Sequence, residues 1–175
     1  MLVAYDDRGR IVDFASLEVQ AVYISGNVRR PYEHYMEDPA NRANMDWTGQ
    51  GNYPCPDYLS SSRKRLAPQL LYKGSIFKAW EKKQAVAIHQ SFYNTLPQLP
   101  EAEKSRADIA WLIYDLQHDP TANSYQLINT QTVYTEFQAA LEKISVPDVG
   151  FVTNFVEVIQ EKLDEKLENE NSPYF

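Results

Sequence analysis

The sequence predicts an α/β protein with a mixed central sheet flanked by helices. Three observations carry that prediction. Residues 2–5 and 11–24 are rich in branched and aromatic residues around the turn-forming DDRG. The run DIAWLIYDLQ (108–117) is a continuous apolar stretch of the kind found in a buried central strand. In SSSRKRLAPQLLYKGSIFKAW, Leu66, Leu70, Phe77 and Trp80 recur at helical spacing. A length of 175 residues suits one domain, spanning 1–175.

The first two segments form a hairpin in this reading. With Arg8 and Gly9 as the turn, Asp6 faces Ile11 and Leu2 faces Ala15, so the second strand outruns the first near Ser16. Glu18 then lies beyond its partner's end. Residues 27–59 are polar and rich in Asn, Asp, Gly and Pro, predicting a short helix over 31–36 and a long loop that holds Trp47 and Cys55. A helix capped by the serines at 60–62 follows, with a break at Gly74.

The segment 84–96 reads as a strand ended by Pro97, and 100–107 as a connection to the central strand. Residues 121–135 supply another strand, and TEFQAALEKI a helix with Thr135 as its cap. From 149 to 167, Val152, Phe155, Ile159, Leu163 and Leu167 form an amphipathic stripe, expected to pack on the sheet. The polar end ENENSPYF is expected to fray. No glycine-rich loop follows the first strand, which argues against a doubly wound nucleotide-binding fold.

The net charge of −7 argues at first against a nucleic-acid partner, but its distribution reverses the impression. Residues 1–100 hold 12 Lys+Arg and 10 Asp+Glu, a balance of +2, whereas 101–175 hold 5 and 14, a balance of −9. Between Ser60 and Ala85 seven basic residues face one acid, Glu81. A basic surface inside an acidic protein follows. No run of about 18 apolar residues exists and the N-terminus has no signal-peptide pattern, so no membrane partner and a cytoplasmic location are expected. The single cysteine, Cys55, allows neither an internal disulfide nor a cysteine cluster for metal.

Within LEVQAVYISG, an apolar strand carries Glu18 and Gln20 on one face. A buried, unpartnered carboxylate costs about 3–5 kcal/mol, so Glu18 must lie at a solvent-open face or be held by a cation. Magnesium is bound through one or two carboxylates, with waters and phosphates completing its shell. In such a site the Glu18 carboxylate and the Val19 backbone carbonyl face the ion while Gln20 holds a water. E-x-Q alone is common by chance and carries little.

Longer stretches carry more. FASLEVQAVYISGNVRRPYEHYMEDP, PDYLSSSRKRLAPQLLYKGSIFKAW and AVAIHQSFYNTLP, spanning about 13–97, resemble the NotI-type restriction endonucleases of the PD-(D/E)xK nuclease superfamily. The resemblance implies a Mg2+-dependent type II restriction endonuclease. Such an enzyme is a homodimer that hydrolyses double-stranded DNA at a palindromic GC-rich site and leaves a 5′-phosphate. It implies Glu18 as metal-binding and catalytic acid, Val19 as carbonyl ligand, and Gln20 as catalytic residue where most relatives carry lysine. Glutamine is neutral and orients water, whereas lysine supplies a positive charge.

The superfamily's second acid is an aspartate upstream of the glutamate strand. Asp13 lies on the wrong face by parity and Asp6 and Asp7 belong to the turn, so the expectation is a chain lacking an upstream part. The family's iron site needs four cysteines, and only Cys55 is present. The alternative is a DNA-binding or assembly protein that keeps the nuclease scaffold without cutting.

For DNA contact, Ser61, Ser62, Arg63, Lys64 and Arg65 present hydroxyls and cations at a helix start. Arg29 and Arg30 are further candidates of the same kind. His34, His89 and His118 lack metal spacing and carry no role in this reading. Asp108 and Asp115 are assigned turn or cap duties, and Trp80 and Trp111 are assigned to packing.

Overall fold

Seven strands and a chain of helices follow one another in a computed structural model that describes residues 1–42, 54–146 and 150–171. Five strands make the main sheet, in the order β1 (Leu2–Tyr5), β2 (Ile11–Val19), β5 (Gln84–His89), β6 (Ile109–Asp119) and β7 (Ser124–Thr135). The outer pairs are antiparallel and the two inner pairings, β2 with β5 and β5 with β6, are parallel. The expected mixed sheet is therefore present. β3 (Tyr23–Ser25) and β4 (Cys55–Asp57) pair antiparallel as a separate ribbon, so Cys55 lies in a strand and not in the expected loop. Trp47 and most of that loop lie outside the described residues.

The hairpin register is the expected one, Leu2 opposite Ala15, up to a shift between Ala4 and Tyr5. At the turn, Asp6 Oδ1 accepts the N–H groups of Arg8 and Arg10 at 2.9 Å each, and Gly9 takes φ +75°. β2 then changes partner. Residues 11–15 pair with β1, and Ser16 to Val19 pair with Gln84 to Ala87 of β5.

The chain crosses between these parallel strands through a helical run over 58–79. It begins one turn earlier than the serines suggest, because Asp57 accepts the Ser60 N–H at 2.9 Å and takes the capping role. Two π turns interrupt it, Ser62–Leu66 and Leu70–Gly74, and it continues through Gly74 to Ala79 where a break was expected. Gly74 permits close packing: a Cβ there would lie 2.5 Å from Phe137 Cε2 and 3.1 Å from Gln84 Oε1.

One face of the sheet holds the core. Val86, Ile88, Ile109, Trp111, Ile113 and Val133 point there and meet Leu66, Leu70 and Phe92, all buried. On the other face Leu17, Ala85, Ala87, Ala110 and Leu112 are half-buried, so β6 alternates where burial on both faces was expected. β5 ends at His89, well before Pro97, because His89 Nδ1 accepts the Ser91 N–H and starts a helical turn, Gln90–Tyr93. The helix Phe137–Ser145 is capped by Asp108, whose Oδ2 accepts the Phe137 N–H at 2.9 Å. Thr135, the expected cap, instead accepts the Trp111 Nε1–H at 3.0 Å inside the core.

Residues 146–175 form a second compact unit, containing the helix Val152–Asn171. No helix among the described residues is long and apolar enough to cross a membrane.

Candidate nuclease site

β2 sets Ser16 and Glu18 on the core face, and Gln20, just past its end, continues that face; the 58–79 helix runs back along the strand. The contacts form a ladder. Phe14 meets Phe77 and Trp80 edge-on, with ring centroids 6.1 Å away in both cases. Gly74 abuts Gln84, the register neighbour of Ser16. Lys73 Nζ donates to Glu18 Oε1 at 2.7 Å. Farther on, Ser61 Oγ accepts the Tyr23 N–H at 2.7 Å, and the Arg65 guanidinium stacks 4.2 Å over the Tyr23 ring.

Glu18 is thus held by a cation at the rim of the core, its side chain 17% exposed against 50% for Lys73. Gln20 lies deeper, 6% exposed, so the two polar side chains of this face differ in depth. Its N–H donates to the Ala87 carbonyl and its Nε2 to the Ala21 carbonyl at 2.7 Å. That second bond fixes the amide orientation and leaves Oε1 buried with no partner. Ser16 Oγ and both amide atoms of Gln84 are likewise buried and unpartnered. Each such atom costs about 1–3 kcal/mol, and water or a polar ligand would satisfy it.

Backbone direction adds a further oxygen. Ser16 N–H and Gln20 N–H both reach carbonyls next to or within β5, so the even-numbered residues bond to β5 and the carbonyl of Val19 faces the opposite side. β1 pairs only as far as Ala15, so among the described residues that edge is unpaired, and Val19 is exposed. The Glu18 carboxylate and the Val19 carbonyl are hard oxygen donors, of the kind a divalent cation takes together with water and phosphate, whereas Gln20 Oε1 is buried. Among the described residues no three His, Cys, Asp or Glu side chains gather into a metal cluster. Asp13 is on the opposite face and pairs with Lys82 at 2.6 Å; that hydrogen bond and the Phe14 N–H hold its carboxyl below the usual value.

The candidate DNA contacts divide. Arg63, Lys64 and Arg65 are exposed in the first π turn, not at a helix N-terminus. Ser61 is fully buried, its hydroxyl committed to the Asp57 carbonyl and the Tyr23 N–H, so it has no bond to offer a phosphate; Ser62 is half-buried. Arg29 and Arg30 begin the helix Arg29–Glu37 on the Asn27 side chain, and Arg29 pairs with Glu33 at 2.7 Å. Lys73 is the residue that sequence reasoning misses. It is one of seven basic residues in its segment, and only the fold brings it 55 positions back to Glu18.

An acid near the end of a parallel strand, a lysine paired with it and exposed basic residues earlier on the same crossing helix make up the site in this α/β protein. The chain belongs to the NotI restriction endonuclease family: the model of that family, described as restriction endonuclease NotI, matches residues 1–127. Membership places it among restriction-type DNA endonucleases, nucleases that act on double-stranded DNA and generally use a divalent metal. No curated protein matches the chain.

Proposed function

We propose that this chain is a PD-(D/E)xK-type restriction endonuclease, or the glutamate-strand part of one. It would hydrolyse double-stranded DNA with Mg2+ and leave a 5′-phosphate. The observation that carries the reading is Glu18 at the rim, beside the orphaned Oε1 of Gln20 and the unpaired Val19 edge. Glu18 and the Val19 carbonyl would hold the cation. Bound Mg2+ supplies Lewis-acid polarisation of the phosphate and eases deprotonation of water.

Gln20 Oε1 accepts a hydrogen bond from the attacking water and aims it at phosphorus, in line with the departing 3′-oxygen. Arg63, Lys64 and Arg65 track the backbone, with Ser62, Arg29 and Arg30 as outlying contacts. A homodimer would present two such sites to the two strands of a palindrome. Residues 1–175 acting as one domain belong to the same proposal.

Incubation of the purified protein with plasmid DNA and Mg2+ tests this. Discrete fragments with 5′-phosphate ends, abolished by Glu18→Ala and by Gln20→Ala but retained by Asp13→Asn, are expected. The second reading, a protein that binds DNA without cutting, is favoured by the single carboxylate at the site. It predicts salt-sensitive binding and intact plasmid.

A further inference from the structure

We infer that Lys73 is the cation of the Glu18 site, supplying from the crossing helix the positive charge that glutamine at position 20 does not. The inference rests on the nuclease reading of Glu18. Three independent features point to it. Lys73 Nζ sits 2.7 Å from Glu18 Oε1, although 55 residues and an entire crossover separate them in the chain. The lysine lies in a π turn, which shifts side chains out of their ordinary helical positions. Its neighbour Gly74 is pressed against Phe137 and Gln84 with no room for a Cβ, which seats the helix close against β5, the strand paired with β2 at Ser16 to Val19.

Half the lysine side chain remains exposed, against about a sixth of the glutamate's, so the ammonium covers the carboxylate from the solvent side. A phosphodiester brought to Glu18 would meet the Lys73 ammonium beside it. Were a divalent cation to take the carboxylate, like charge would free the ammonium to turn to the phosphate oxygens. There it offers charge-assisted hydrogen bonds to the negative charge that grows during attack. Gln20, whose Nε2 is already bonded to the Ala21 carbonyl, keeps only an acceptor for water. The two functions of the usual lysine are thereby divided between two residues.

The experiment uses the full chain and two readouts. Mg2+ binding is measured by calorimetry without DNA, and cleavage is measured on plasmid. Lys73→Met removes both a competitor for Glu18 and a like charge, so Mg2+ binds several-fold more tightly while cleavage falls by about a hundredfold. A purely structural lysine would give weaker binding and a lower melting temperature together, and that result overturns the inference. Placing Gln20→Lys in the Lys73→Met background restores cleavage at least tenfold if the charge is what matters. No rescue in a folded double variant overturns it as well.

If the wild-type protein cuts no DNA, the nuclease reading fails by itself. Tighter Mg2+ binding by Lys73→Met, lost on adding Glu18→Ala, would still uphold the coupling of Lys73 to the cation site. Unchanged Mg2+ affinity would refute it.

Discussion

Lys78 and Asp108 form a two-armed ion pair: Nζ donates to both carboxylate oxygens at 2.9 Å, and one of them also accepts the Phe137 N–H. One carboxylate thereby ties the end of the crossing helix to the start of the helix after β7. Burial pushes the Asp108 carboxyl up, but the Phe137 N–H and the Lys78 ammonium together outweigh it and hold the group below its ordinary value.

Asp108→Ala is therefore expected to cost about 1–2 kcal/mol at neutral pH, most of it from the missing cap, since Lys78 is half exposed. The folded pKa is depressed. The stabilisation is present above the unfolded value of about 3.9 and is lost as pH falls through the lower folded one. Urea unfolding of wild type and variant at neutral pH and near pH 2 checks this: the gap should close in acid.

Gly74→Ala adds a methyl group into the space of the Phe137 ring and the Gln84 amide. Overpacking of this kind costs about 1–3 kcal/mol. Thermal unfolding should show the loss, and Phe137→Leu in the same protein should recover part of it by removing the ring edge.

Ser61→Ala removes the acceptor of the Tyr23 N–H and the donor to the Asp57 carbonyl in a fully buried position. Destabilisation of about 1–3 kcal/mol is expected, with DNA affinity per folded molecule unchanged. Denaturant titration and a binding isotherm separate the two effects.

Replacing Arg63 and Lys64 with Gln should weaken DNA binding equally for all sequences. The slope of log affinity against log salt should become shallower by about 0.9 for each phosphate that the protein no longer neutralises. Arg65→Gln combines that effect with the removal of its stacking on Tyr23, so it should also lower the melting temperature slightly.

What the sequence made legible was local. The hairpin register follows from Asp6, Arg8 and Gly9 acting within five residues of one another, and the end of the β1 pairing near Ser16 follows by counting. The strand runs at 84–89, 109–119 and 124–135 are carried by their own composition. Capping is harder to read, because several polar residues compete for each helix start. Asp57 prevails over the serines, and Asp108 over Thr135, through geometry set across the fold.

Of the site, the parity of Glu18 and Gln20 is readable, but their depth is not. Gln20 is buried by the fold around it, and no pattern within β2 announces that. Lys73 is invisible for the same reason. Its partner is reached only through the parallel pairing of β2 with β5 and the close seat of Gly74.

The hairpin turn has a reach beyond its own residues. Successive side chains of β2 alternate between core and opposite face, so slipping the hairpin by a single position would carry the acid to the far side of the sheet. The irregularity between Ala4 and Tyr5 absorbs the odd residue at the loop end, leaving the Leu2 to Ala15 rung in phase. Asp6, some distance from any chemistry, thus indexes which way residue 18 points.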